Sequence, residues 1–140
     1  MLVLDTDHIS LLGDPSPVGL RLLTRLEDAQ EAVVTTAVAV EENLNGWLQY
    51  IHKAKTPDQL IRGYDRLLSR VDFLSSWSVL SWDLRASQCY LDLRSRGVRI
   101  GTHDLRIASI VLSRNGTLLT RNTTDFAKVP NLQFENWLDE

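Results

Sequence analysis

Four acidic residues stand where a parallel α/β fold would open its active site. Asp5 ends the first apolar run, and Asp125 follows an apolar run and a short turn near the end of the chain. Glu42 lies just inside one helical pattern, and Asp104 opens another. Carboxylates that are brought together raise one another's pKa, and a hard divalent cation with oxygen ligands is the usual compensation. The four acids therefore predict a metal site.

The other side chains favour Mg²⁺ or Mn²⁺ over other metals. Cys89 is the only cysteine, and His8, His52 and His103 lack the helical pair spacing of a zinc site. A site made of oxygen ligands favours Mg²⁺ or Mn²⁺. Such ions lower the pKa of a bound water and stabilise charge on the leaving oxygen of a phosphodiester. The chemistry that these residues predict is that of a small metal-dependent nuclease.

The elements that must position the acids alternate between apolar runs and helical patterns. This alternation is typical of a parallel sheet with helices on both faces, whose ligands bind beyond the carboxyl ends of the strands. The predicted strands are residues 2–4, 33–35, 79–82 and 118–120, with a weaker one at 132–134. Asp83 also follows a strand, and we interpret it as the N-cap of the next helix.

Two long amphipathic helices are predicted between residues 37 and 75, with a break at Thr56-Pro57. Two such helices joined by a short break indicate an antiparallel hairpin, and its outer face is a candidate surface for a dimer or another partner. The predicted buried residues are Val40, Leu44, Trp47, Leu48 and Ile51 in the first helix and Leu60, Tyr64, Leu67, Leu68 and Val71 in the second.

Length and composition fit one domain that spans residues 1–140. The hydrophobic content of 44% and the charged content of 24% are ordinary for a soluble globular protein. No apolar run approaches the roughly 20 residues that cross a bilayer, and the N-terminus lacks the basic region of a secretion signal. A single cysteine excludes an internal disulfide. We therefore expect a cytoplasmic protein with no membrane partner, in which Cys89 is a buried core residue.

The net charge of −3 is unevenly distributed along the chain. Residues 84–128 contain eight basic and three acidic residues, a net charge of +5, whereas residues 1–83 carry −5. A basic segment beside the carboxylates could bind a polyanion while cations offset the acids. Arginines that solvate helix faces explain the same pattern equally well. Arg106 and Arg121 are nearest to the acids in sequence.

Five blocks of sequence carry these acids or follow them in order. They are residues 4–8 (LDTDH), 42–46 (ENLNG), 103–109 (HDLRIAS), 118–126 (LLTRNTTDF) and 134–137 (FENW). Each block alone is weak evidence, but the ordered set resembles the PIN-domain nucleases over nearly the whole chain. The resemblance is specifically to the VapC-type toxins of bacterial toxin–antitoxin pairs.

The resemblance implies a three-layer α/β/α fold with a four- to five-stranded, mostly parallel sheet. It implies an endoribonuclease that depends on Mg²⁺ or Mn²⁺ and hydrolyses phosphodiester bonds of RNA. It also implies a homodimer and a cognate antitoxin whose C-terminal segment masks the site.

The same resemblance assigns roles to individual residues. Asp5 and Asp104 would bind the metal directly, and Glu42 and Asp125 would act directly or through water. Three further side chains would orient these ligands through hydrogen bonds. These are Thr6, Thr120 and Asn122.

Several acidic positions have two interpretations. Glu41 and Glu42 lie about 100° apart on a helix, so only one can face the site, and the family pattern selects Glu42. Asp7 is either a fifth acid at the site or, as we favour, the N-cap of a short helix at residues 8–12. Asp104 taken alone could equally be an N-cap.

Three other functions match part of the sequence. Asp5-Thr6-Asp7 after an apolar strand also resembles the nucleophile motif of haloacid-dehalogenase-type phosphatases. That family needs a closely spaced late acidic pair, whereas Asp104 and Asp125 are 21 residues apart. A PIN module without activity is disfavoured because all four acidic positions are filled. A PIN nuclease of RNA processing stays open, and a neighbouring antitoxin gene would distinguish it from a toxin.

Overall fold

A computed structural model that describes residues 1–139 contains five short strands, with one or two helices between each strand and the next. The strands are β1 (Leu2–Leu4), β2 (Val33–Thr36), β3 (Val79–Leu80), β4 (Thr117–Leu119) and β5 (Gln133–Glu135). The helices are α1 (Thr6–Leu12), α2 (Pro17–Ala29), α3 (Ala37–Lys53), α4 (Pro57–Ser75), α5 (Leu84–Ser95), α6 (Thr102–Ser113) and α7 (Thr123–Phe126). All five predicted strands are confirmed, with ends that move by one or two residues.

The strands form one sheet in the order β3-β2-β1-β4-β5, and every neighbouring pair is parallel. The strand β1 is central, with Val3 opposite Val34 of β2 and Leu118 of β4. Strand order therefore reverses direction at β1. In such sheets the crevice beyond the carboxyl ends at the reversal point is the usual ligand site.

Side chains of β1 alternate between two cores, one on each face of the sheet. Val3 packs with α5 and α6 residues such as Leu93 and Ile110. Leu2 and Leu4 pack on the other face with residues of α1, α2 and α4. The fold is thus the predicted three-layer α/β/α arrangement. Cys89 packs against the first core, as predicted, but it is half-buried and not fully buried.

The predicted hairpin of α3 and α4 is present, but the predicted buried face of α4 is wrong. The residues of α4 that are buried include Gly63, Arg70 and Leu74. The predicted stripe is instead mostly exposed, at Leu60, Tyr64, Leu68 and Val71. Periodicity identifies an apolar face of a helix but not whether the same chain covers it. In α3, likewise, Leu48 is exposed.

Helix ends follow the local chemistry of the sequence. Thr56 and Gln59 form a reciprocal capping box at the start of α4, next to Pro57. Asp83 caps α5 through the backbone N–H of Ala86 at 2.9 Å, as predicted. No helix within residues 1–139 has both the length and the apolar character that a bilayer crossing requires.

Candidate active site

Asp5 lies directly beyond β1, at the point where the strand order reverses. Its carboxylate is buried and serves as the N-cap of α1, because Oδ1 accepts the Thr6 backbone N–H at 2.8 Å. The other oxygen, Oδ2, accepts a hydrogen bond of 2.7 Å from Thr120 Oγ1, just beyond β4. Two neighbouring strand ends therefore fix this carboxylate from both sides.

Glu42 reaches the same edge from α3. The hydroxyl of Thr6 donates a 2.8 Å hydrogen bond to Glu42 Oε1 and so joins α1 to α3. Glu42 is the sixth residue of α3, which begins at Ala37, so it lies in the second turn and not just inside the helix as predicted. The side chain of Glu41 is exposed and lies 3.3 Å from His103 Nε2. Glu42 is thus the member of the pair that faces the cluster.

Asp104 and Asp125 are joined by one amide. Asn122 Nδ2 donates to Asp104 Oδ2 at 2.9 Å and to Asp125 Oδ2 at 3.1 Å. The backbone N–H of Asn122 donates to Thr120 Oγ1 at 3.0 Å, which links this pair to the oxygen that binds Asp5. Lys128 Nζ lies 3.5 Å from Asp125 on the outer side. The three polar side chains predicted to orient the acids all contact them.

Asp104 does not cap its helix. The N-cap of α6 is Gly101, without a side-chain hydrogen bond, and Asp104 is the third helical residue. The sequence placed it at the start of α6 because the apolar pattern begins only at Leu105. Its carboxylate therefore has no capping role, and its one hydrogen bond from a side chain comes from Asn122.

The acids lie close enough to perturb one another. Burial, and then the charge of Asp7, raises the pKa of Asp5 to about 7, with a smaller contribution from Asp104. Burial raises the pKa of Asp104 as well, followed by the charge of Glu42 and, more weakly, that of Asp125. Crowded carboxylates with raised pKa values favour any cation that can enter between them.

Asp7 is wrongly predicted as an N-cap, because α1 begins one residue earlier and uses Asp5. Asp7 Oδ1 lies 2.6 Å from His8 Nδ1, and Oδ2 accepts the Arg121 backbone N–H at 2.8 Å. The imidazole of His8 is fully buried, and its Nε2 accepts the Trp137 backbone N–H at 3.2 Å, so Nδ1 carries the proton. Sequence reasoning missed this network, whose only local sign is the adjacent Asp-His pair.

The donor set suits a hard cation that keeps most of its water. Within residues 1–139 no three His, Cys, Asp or Glu side chains are already arranged to hold a metal ion. Mg²⁺ is commonly bound by only one or two carboxylates, while water and substrate phosphate fill its other positions. Asp5 and Asp104 can act as such a pair, because Thr120 and Asn122, joined by a hydrogen bond, hold the two carboxylates at the same edge of the sheet. The residues therefore fit the predicted metal.

Comparison with known proteins identifies the family. No protein-family model matches the chain. Ribonuclease VapC2 of Rickettsia felis is 35% identical over 104 residues, which are 71% of this chain and 74% of that protein. The chain belongs to the VapC family of PIN-domain ribonucleases. The tRNA(fMet)-specific endonuclease VapC of Salmonella typhimurium is 30% identical over 69 residues, 46% of this chain and 52% of that protein.

Solved structures of VapC-family complexes share the fold. The Rickettsia felis VapBC2 complex bound to a promoter DNA fragment contains a chain with a TM-score of 0.69 and 24% identity, covering 97% of this chain and 98% of that one. A DNA-bound VapBC structure from Salmonella typhimurium contains a chain with a TM-score of 0.71 and 22% sequence identity, and the alignment covers 97% of each chain. These likenesses establish the fold, and the family membership replaces the phosphatase interpretation of Asp5.

Proposed function

We propose that this VapC-family chain is an endoribonuclease that uses Mg²⁺ or Mn²⁺ and acts as the toxin of a toxin–antitoxin pair. The observation that carries the proposal is the meeting of four acids at the carboxyl ends of β1 and β4. Each acid has a polar partner that fixes it: Thr6, Thr120 or Asn122. The named activity of the relatives, ribonuclease or tRNA endonuclease, supports the same conclusion.

The four acids and the polar side chains that contact them would have different roles in catalysis. Asp5 and Asp104 would bind the cation, and Glu42 and Asp125 would bind it directly or through water. A bound Mg²⁺ or Mn²⁺ would supply Lewis acidity, activating water and offsetting charge on the phosphodiester oxygens. Thr120 and Asn122 would keep the carboxylates aimed at one point, so that little reorganisation is needed when RNA binds.

An antitoxin partner and a homodimer belong to the same proposal. The solved neighbours are toxin–antitoxin complexes, which supports an antitoxin that binds this chain. Exposed apolar side chains on α2 and α4 offer area for partners: Leu20, Leu60, Ile61, Tyr64 and Leu68. The cytoplasm, where RNA is available, is the compartment that this function requires.

Cleavage of a structured RNA tests the activity. We expect purified, antitoxin-free protein to cleave with Mg²⁺ or Mn²⁺ and to stop in EDTA. Asp5→Asn and Asp104→Asn should each lower the rate at least 100-fold, because each removes a charged ligand, whereas the exposed Asp28→Asn should cleave normally. Folded wild-type protein that binds Mn²⁺ but cleaves no RNA would refute the proposal.

A further inference from the structure

A cavity of about 410 Å³ lies beside the acidic cluster, between the start of α3, the start of α5 and α6. We call it the side pocket, and its chemically active lining residues are Glu41, Trp82, Ser87, Tyr90 and Arg106. The pocket and the acidic cluster adjoin the same stretches of two helices, because Glu41 precedes Glu42 on α3 and Arg106 follows Asp104 by two residues on α6. Adjacent helical residues point about 100° apart, so Glu42 faces the cluster while Glu41 faces the pocket.

The aromatic lining is fixed in place yet open to solvent. Trp82 and Tyr90 pack edge to face, with ring centroids 5.6 Å apart. The guanidinium of Arg94 lies 5.7 Å from the Tyr90 centroid and supports that ring from outside the pocket. Trp82 is nevertheless 39% exposed. A rigid indole with free surface is a stacking platform for a planar ring.

The polar lining complements a nucleotide. Ser87 and Glu41 can exchange hydrogen bonds with the edge of a base, and Arg106 can pair with a phosphate. Residues 84–128, which contribute half of the lining including Arg106, carry a net charge of +5. A positive charge beside an aromatic ring is the combination that binds single-stranded nucleic acid.

We propose that the side pocket receives one unpaired base of the RNA, from a nucleotide next to the cleaved phosphodiester, and stacks it on Trp82. This inference rests on the proposed ribonuclease function and adds a specificity subsite to it. The exposed indole, Arg106 and the position beside the acidic cluster on α3 and α6 favour RNA over a protein occupant. Leu84 and Leu91 of α5 are also exposed. The alternative occupant to be tested is therefore a second copy of this chain, which would cover these apolar side chains.

Abasic substrates test the stacking directly. After the cleavage position in a single-stranded RNA oligonucleotide is mapped, one base at a time is removed on either side of it. We expect one abasic position to lower kcat/KM of the wild type by about 5- to 100-fold, mainly through KM, which is the range of base–aromatic stacking. Trp82→Ala should show the same loss on intact RNA and no further loss on the abasic RNA. Trp82→Phe should keep most of the discrimination.

The control is Trp47→Ala, which removes the same side chain from the middle of α3, outside the side pocket, and should cleave intact and abasic RNA as the wild type does. Equal losses by Trp82→Ala on intact and abasic RNA would overturn the subsite, as would a change from dimer to monomer in sedimentation. If the wild type cleaves RNA but no abasic position matters, only the subsite is wrong. If the folded wild type binds Mn²⁺ but does not cleave, the ribonuclease proposal is refuted. Fluorescence anisotropy of the intact and abasic RNAs with the wild type then tests the pocket alone, and equal affinities would refute the subsite as well.

Discussion

The ionised carboxylate of Asp5 lowers the stability of the metal-free fold. Its pKa is raised to about 7 by burial and by Asp7, above the roughly 3.9 of an unfolded chain. An acid with a raised folded-state pKa destabilises the fold wherever it is ionised. The cost is absent below pH 4, grows between pH 4 and 7, and is complete above about pH 7.

Replacing that charge should therefore stabilise the metal-free protein. Asn is as good an N-cap as Asp, so Asp5→Asn leaves the start of α1 intact. In EDTA we expect its free energy of unfolding to exceed that of wild type by on the order of 3 kcal/mol at pH 8.5, and by clearly less at pH 5. Urea unfolding at both values measures this.

Asp14 provides the opposite control for that experiment. Hydrogen bonding and charge from Arg66, with Arg70, lower the pKa of Asp14, so its stabilisation is present at neutral pH and lost as the pH falls. Asp14→Asn should therefore destabilise the protein at pH 8.5. A stabilising Asp14→Asn, or an Asp5→Asn effect that does not depend on pH, would contradict this electrostatic account.

Asn122 is the residue whose loss should disorder the site without removing a ligand. One amide donates to both Asp104 and Asp125. Partners of metal ligands typically contribute 10- to 100-fold in affinity or activity, so Asn122→Ala should raise the Mn²⁺ requirement for cleavage by that factor. A Mn²⁺ titration of the cleavage rate is the measurement. Asn45→Ala on the exposed side of α3 is the matched control and should titrate as wild type.

The site residues were predictable from sequence because their positions beside strand and helix ends, together with the family pattern, select them. Acids at strand ends and helix starts lie at the edge where ligands bind, but Asp83 shares that position and only caps α5, so position alone does not separate site residues from caps. Their hydrogen bonds were not predictable in detail, because Thr6–Glu42 and Asp5–Thr120 join residues 36 and 115 positions apart. The Asp7–His8 network was missed because one residue's difference in where α1 begins changes the role of Asp7.

At the scale of elements, the close approach of α3 and α4 depends on Gly63. A Cβ there would lie 2.6 Å from Ile51 Cγ1 and 3.1 Å from Tyr50 Cδ1. Gly63→Ala should therefore separate the helices and lower the free energy of unfolding by about 1–3 kcal/mol, despite alanine's better helix propensity.

The matched substitution Gly46→Ala meets no atom within 4 Å in the middle of α3. It should instead stabilise the protein by about 0.5–1 kcal/mol. Thermal or urea unfolding of both variants gives the comparison. If Gly63→Ala stabilised the protein as Gly46→Ala does, the result would contradict a close approach of α3 and α4 that depends on Gly63.

Strands were easier to predict than helix faces for a physical reason. Parallel strands covered on both faces are continuous apolar runs, so β1, β2 and β4 stand out in the sequence. The stripe of α4 is just as periodic, yet Leu68 is 68% exposed. An apolar helix face that binds a partner protein has the same sequence pattern as one that packs into the core of its own chain.

For the whole molecule, cation binding and folding should be coupled. A cation that binds only the folded chain at 100 times its Kd adds about 2.7 kcal/mol, roughly 5–10 °C in Tm for a domain of this size. We expect Mg²⁺ or Mn²⁺ to raise the Tm of the wild type by this order.

The same cation should not raise the Tm of Asp104→Asn, while Asp28→Asn should respond as wild type does. Differential scanning fluorimetry at increasing Mn²⁺ gives the result without any substrate. A Tm that rises equally in Asp104→Asn would place the cation elsewhere on the protein.

The central position of β1 also determines when during synthesis the site can form. The carboxylate of Asp5 is synthesised 115 residues before the Thr120 hydroxyl that binds it. Chains emerge N-terminus first, and a sheet of this order cannot close until β4 is available. A product released from a broken message before residue 120 therefore carries Asp5 and Glu42 without the groups that complete the cluster. For a ribonuclease, this means that cleavage cannot begin until β4 and Thr120 have been synthesised.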